Sequence, residues 1–267
     1  MDDNTRAGWG LRLWAVLVGL LLVAPLLVVV PISFAQRQSF KFPPSGFSFT
    51  WYENMFTDHR WTSAIGTSLL VGGVVTVVCT VFGTAAALGI HRLGGRLGAI
   101  VTGVLVAPMI VPGIVSAVAI YSVYLRWNLT GNFLGFLLAH SVLALPFVVV
   151  AVSSSLSSTD PALIRAAASL GAGPWRTFGK VTLPLITPGI GAGALFAFVT
   201  SFDEVVAASF LQSPAIRTLP IEMFVSVTNE VDPTIAAVST VILALTTVVV
   251  VLPFLVRNRK PKGAIVQ

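Results

Sequence analysis

Six stretches of this chain, at about 13–34, 62–90, 99–125, 133–155, 188–211 and 234–256, run for some twenty residues or more with almost no charge. A helix crosses about 30 Å of hydrocarbon with about 20 apolar residues. In lipid only helices and closed barrels satisfy their own backbone groups. These runs lack the period-2 alternation of a barrel wall. The expected fold class is therefore an all-α polytopic membrane protein, with six transmembrane helices in one domain covering 1–267. Composition agrees, with 10% charged residues where a soluble domain carries about 25%. Soluble enzyme classes are thereby excluded. The first run follows Arg6 and Arg12 and ends near Ser33-Phe34-Ala35, which looks like a secretory cleavage site. Its apolar core of about twenty residues exceeds the 7–15 of a signal sequence, and it is read as a span.

Six crossings place both ends on one side. Arg6, Arg12, Arg92, Arg96, Arg165, Arg176, Lys180, Arg257, Arg259, Lys260 and Lys262 fall on that side, and Arg37, Lys41, Arg60, Arg126 and Arg217 on the other. The positive-inside rule then expects both termini in the cytoplasm. The net charge of +6 is accounted for by topology, and the basic tail reads as a stop-transfer anchor. No nucleic-acid partner is expected. The single cysteine, Cys79, excludes internal disulfides and thiolate metal clusters. His140 has no second ligand type at metal-binding spacing, and is expected to hydrogen-bond at a helix contact. No metal site is expected.

Two soluble segments exceed simple turns. The outer one, about 35–61, contains Phe42-Pro-Pro-Ser-Gly-Phe47, Trp51 and Tyr52, residues that break regular structure and suit an interfacial aromatic belt. The inner one, about 156–187, predicts a helix of about ten residues. Asp160 is a good N-cap, Pro161 fits the first helical position, and Gly171 suits a left-handed residue just past the end. So short a helix is marginal alone in water, so the loop or a partner must hold it. Trp175–Val181 reads as a second short amphipathic helix before Leu183-Pro184.

The run Arg165-Ala-Ala-Ala-Ser-Leu-Gly171, continued by Val181, Leu183-Pro184 and Pro188-Gly189, resembles the EAA loop of inner-membrane permeases of binding-protein-dependent ABC importers. Arg165 stands where that family's Glu normally sits. Phe42–Tyr52, Ser201-Phe-Asp-Glu-Val-Val206 and Thr218-Leu-Pro-Ile221 are similar to segments of spermidine/putrescine-type permeases. The resemblance implies a type I importer subunit working by alternating access in a bacterial inner membrane. Its implied partners are a second homologous permease, two ATPase chains and an extracytoplasmic solute-binding protein. It further implies that Arg165, Ala166, Ala167, Leu170 and Gly171 couple to the ATPase, and that the solute is a polyamine. Relatives carrying iron, opines or amino-acid-like solutes share parts of the pattern. An ATPase-independent channel is the different-class alternative, against which the loop spacing speaks.

No nucleotide site is expected on this chain. Gly173–Lys180 has five residues between its glycines where a phosphate-binding loop has four, and Val181 replaces the required Ser or Thr. ATP and Mg²⁺ therefore belong to partner chains, and no catalytic residue is expected here. Asp203 and Glu204 are the two acids well inside an expected span. Carboxylates there normally face a cavity or a partner. Either one lines the substrate path, or both serve a subunit contact or a kink near the outer interface. Pro108, Pro112-Gly113 and Pro146 interrupt spans, as helix kinks for packing or at a cavity.

Overall fold

The computed structural model describes residues 9–229 and 231–257. Arg6, Glu230, Arg259, Lys260 and Lys262 lie outside the described residues. The described elements are α1 (Trp9–Ser33), α2 (Thr50–Thr57), α3 (His59–Leu93), α4 (Gly95–Ile110), α5 (Gly113–Trp127), α6 (Phe133–Ser157), α7 (Pro161–Ser169), α8 (Pro174–Thr177), α9 (Leu183–Phe202), α10 (Val206–Leu211), α11 (Leu219–Asn229) and α12 (Thr234–Arg257). Four stretches, α1, α3, α6 and the run Pro174–Phe202, are long and apolar enough to span a bilayer, and α4 with α5 makes a fifth if counted as one bent span. A further 24-residue helix, α12, occupies the position of the sixth run. The chain is an all-helical, multi-pass membrane protein.

Three boundaries differ from expectation. The third run is two helices meeting at 102°. Pro112 lacks an N–H and excludes its predecessor from helical geometry, so Val111 is extended at φ −72°, ψ 129°. Pro108 and Pro146, by contrast, lie inside continuous helices. The fifth run is shifted: α9 begins at Leu183 and stops at Phe202, so Asp203 and Glu204 are not inside a helix but in a break before α10. The second loop helix is not separate. From α8 the backbone passes through one π turn, Phe178–Thr182, directly into α9. Pro184 supplies the reason, because its ring clashes with the carbonyl four residues back in a regular helix. A wider turn relieves that clash.

Packing divides the chain into two compact units, residues 1–62 with 223–267, and residues 63–222. In the first, α1 and α2 pack on α12. The segment between α1 and α3 is pinned by its aromatics: Trp51 Nε1 donates to the Ala35 carbonyl, Tyr52 Oη and Ser33 Oγ share a hydrogen bond of 2.7 Å, and Phe34, Phe49 and Tyr52 cluster. Asp232 accepts from Trp61 Nε1 at 3.3 Å and from the Thr234 backbone N–H at 2.9 Å, which fastens the start of α12.

The second unit is built on the pair α6–α9. With no hydrophobic gain between helices in lipid, close approach of backbones at small residues drives association. Gly189 and Gly193, four apart, supply that approach. A Cβ on Gly189 would stand 2.5 Å from Ser155 Cβ, and one on Gly193 would stand 3.0 Å from Val148 Cα. Gly72 is a close-packing residue too, since a Cβ there would meet the Phe198 ring at 3.1 Å, whereas Gly73 faces open space. The broken third and fifth spans also meet, α5 against α10, with the Tyr121 and Phe210 rings 5.7 Å apart.

Candidate functional site

Both candidate regions fall within the second unit: the loop around α7 and the break after α9. Local chemistry builds the loop. Asp160 Oδ1 accepts from the Ala162 N–H at 2.8 Å, Pro161 stands at the first helical position, and the helix closes on Leu170 as its C-cap. Gly171 then takes φ +80°. Its N–H donates to the Ala168 carbonyl at 3.0 Å, and the Ala172 N–H donates to Ala167 at 3.0 Å. That pair of bonds is a Schellman motif, which ends the helix and reverses the chain.

Nothing in α7 is buried. Arg165 and Ala166 are exposed and Ala167 is half-buried, while Leu170 and Trp175 are 89% and 87% exposed. A nine-residue helix fixed at both ends, yet burying no residue, presents apolar side chains such as Leu163 and Ile164 at its surface. Behind it lies a cavity of about 500 Å³, lined by Leu88 and Arg92 of α3, Leu156 of α6, Ile164 and Ala168 of α7, and Phe178. The five coupling candidates are thus brought together on one short capped helix and its terminus.

Asp203 and Glu204 are treated differently by the fold. Glu204 Oε1 accepts from the Ala207 N–H at 2.7 Å, supplying a cap to the start of α10. Asp203 is the C-cap of α9 at φ −92°, ψ 2°. It is exposed, and its carboxylate has no hydrogen-bond partner among the described residues. Within the break one acid caps the next helix, and the other stays unpaired among the described residues. From Leu183 to Phe202 is 20 residues, about 30 Å at 1.5 Å per residue, so α9 carries Asp203 about one hydrocarbon thickness from the π turn.

Sequence reasoning missed two contacts between distant residues and one buried ion pair. His140 hydrogen-bonds as expected, but its partner, Ser201, had no local signal. Arg217 Nη1 donates to Glu222 Oε2 at 2.9 Å, with Glu222 only 2% exposed. Ser68 Oγ of α3 accepts from the Leu219 N–H at 2.7 Å, capping α11 from another helix. Glu204 did have a signal, a carboxylate three residues before Ala207, which is a capping interval. Among the described residues no cluster of three His, Cys, Asp or Glu could hold a metal.

Comparison with known proteins places this geometry. The chain is 30% identical over 238 residues, 89% of its length and 92% of the relative's, to the spermidine/putrescine transport system permease protein PotC of Haemophilus influenzae. It is 32% identical over 241 residues, 86% of its length and 85% of the relative's, to the putrescine transport system permease protein PotI of Escherichia coli. It is also 28% identical over 205 residues, 71% of its length and 77% of the relative's, to the molybdenum transport system permease protein ModB of Mycobacterium bovis. Among solved structures it resembles a chain of a bacterial ABC transporter involved in the import of the acidic polysaccharide alginate. There the TM-score is 0.68 at 15% identity, covering 94% of this chain and 96% of that one, which shows the fold alone. Residues 79–262 match the family described as binding-protein-dependent transport system inner membrane component. That match includes α6, the capped loop helix and both broken elements, and the chain belongs to this family of ABC importer permeases.

Proposed function

We propose that this chain is one of two permease subunits of an ATP-driven importer for a polyamine such as spermidine or putrescine. It crosses the membrane six times, both termini are cytoplasmic, and two ATPase chains and an extracytoplasmic solute-binding protein complete the complex. The observation that carries the reading is similarity to polyamine permeases over about nine-tenths of the chain. Its mechanism follows from the connectivity. The exposed apolar residues of α7 are the ATPase contact, with Ala167, Leu170 and Gly171 shaping it and Arg165 and Ala166 on its exposed surface. Motion of α7 passes through α8 and the π turn into α9, whose far end carries Asp203. A carboxylate at the outer end of the path attracts an ammonium as the spans reorient.

Two experiments test this. Right-side-out vesicles loaded with ATP and containing the complete importer, with its solute-binding protein outside, should accumulate labelled spermidine, with competition by putrescine and none by a molybdenum oxyanion. In that system Asp203→Asn removes a charge-assisted contact and should raise the KM for uptake about tenfold or more. Glu204→Gln keeps an oxygen that accepts from Ala207 and should be mild. Normal transport by both variants sinks the cation path, and competition by the oxyanion alone sinks the polyamine. Topology is checked in a Cys79→Ser background. Ser45→Cys should label from outside the cell and Ser158→Cys only from inside; external labelling at 158 removes the ATPase contact.

A further inference from the structure

We infer that His140 is a positioning residue for transport: through its Nδ1–H it holds the end of α9, and so sets where Asp203 stands. This rests on the reading of Asp203 as a path residue. A helix that stops leaves its last carbonyls without intrahelical partners, and within a membrane each needs a replacement donor. α9 stops at Phe202, so the Ser201 carbonyl is one of these. His140 Nδ1 lies 3.1 Å from that carbonyl oxygen and 3.0 Å from Ser201 Oγ. A carbonyl oxygen only accepts, so the nitrogen facing it carries the proton and donates. In that tautomer Nε2 is left as an acceptor.

Two further observations separate this from ordinary packing. His140 is 1% exposed, and its Nε2 is buried with no hydrogen-bond partner among the described residues. A leucine would fill a similar volume but could not donate to the Ser201 carbonyl. The Phe136 ring, one turn earlier on α6, lies 5.6 Å from the imidazole and steadies its orientation. Asp203 is then suspended between two fixed points. Upstream, Ser201 is tied to α6 by His140. Downstream, Glu204 is tied to the Ala207 N–H. One residue, Phe202, separates the His140 anchor at Ser201 from Asp203, too few for the carboxylate to wander while that anchor holds.

The geometry assigns the work to one nitrogen, and amide substitutions can tell the two apart. The side-chain amide of asparagine reaches about as far as Nδ1, and that of glutamine about as far as Nε2. In the complete importer, His140→Asn should keep the parental KM for spermidine uptake. His140→Gln and His140→Leu should raise KM about tenfold with complex assembly and Vmax little changed. A second readout follows the break itself. With Val206→Cys in a Cys79→Ser background, the labelling rate by a membrane-impermeant maleimide should shift at least several-fold in the Gln and Leu variants and stay parental in Asn. Parental KM and labelling in His140→Leu overturn the proposal. Should that variant fail to assemble, the Asn–Gln contrast decides, and identical behaviour of the two overturns it. The labelling readout does not depend on uptake. It therefore still tests His140 if Asp203→Asn transports normally and the path reading falls.

Discussion

Gly171→Val should insert into the membrane normally and lose most of its hold on the ATPase. Gly171 sits at φ +80°, and a Cβ there would meet nothing within 4 Å, so the effect is backbone strain rather than a clash. An L-residue in the left-handed region costs roughly 1–2 kcal/mol, and a β-branched one more. The alternative to accepting that strain is to abandon the Schellman turn. Its two bonds, from Gly171 to Ala168 and from Ala172 to Ala167, then open, and α7 loses the end that orients Leu170. With no residue of α7 buried, little packing opposes the loss. We expect ATPase retention on the tagged complex to fall by about tenfold, the equivalent of 1.4 kcal/mol, and uptake to fall with it. Ala167→Asp should act similarly, by placing an unpaired charge in an apolar contact, while Arg165→Glu should be much milder. Full ATPase retention in Gly171→Val would show that this loop is not the coupling element.

Arg217→Ala should be the most destabilising single change around the start of α11. Glu222 is 2% exposed in its side chain and Arg217 is 35% exposed, their atoms 2.9 Å apart. Removing the arginine leaves a buried carboxylate without its cation, which costs about 3–5 kcal/mol. The reverse change, Glu222→Gln, should be milder, because the partly exposed guanidinium turns to water. Removing both charges together, Arg217→Met with Glu222→Met, should recover most of the loss, since well-packed apolar pairs often match a buried ion pair. The measurement is the thermal midpoint of the detergent-solubilised complex. A double variant as unstable as Arg217→Ala would show that the pair does not account for the loss.

Much of the loop around α7 was legible in the sequence, and the reason is range. Asp160 caps Ala162 two residues away, Pro161 needs no N–H where it stands, and Gly171 bonds to Ala168 three residues back. Each is decided by neighbours, so residue type and spacing suffice. The apolar runs were legible because lipid demands about twenty apolar residues per crossing. Lipid also explains what was not legible. A solvent apolar on every side leaves no polar stripe to mark which face packs, so nothing local announced Gly193 against Val148 or Gly72 against Phe198. Hydropathy likewise ran through the end of α9, since Val205, Val206 and Ala207 look as apolar as a helix interior.

What the sequence by itself determined is therefore the class of fold, the apolar runs and the capped loop helix, all set by composition and contacts within a few residues. What only the tertiary structure decided is how the ends of those helices are satisfied. Ser201 meets His140 across 61 residues, Leu219 meets Ser68 across 151, and Trp61 meets Asp232 across 171. A helix end in a water-poor setting must find a donor or acceptor wherever folding has brought one. Which one it finds depends on three-dimensional proximity, and this is what leaves Asp203 free while Glu204 is engaged.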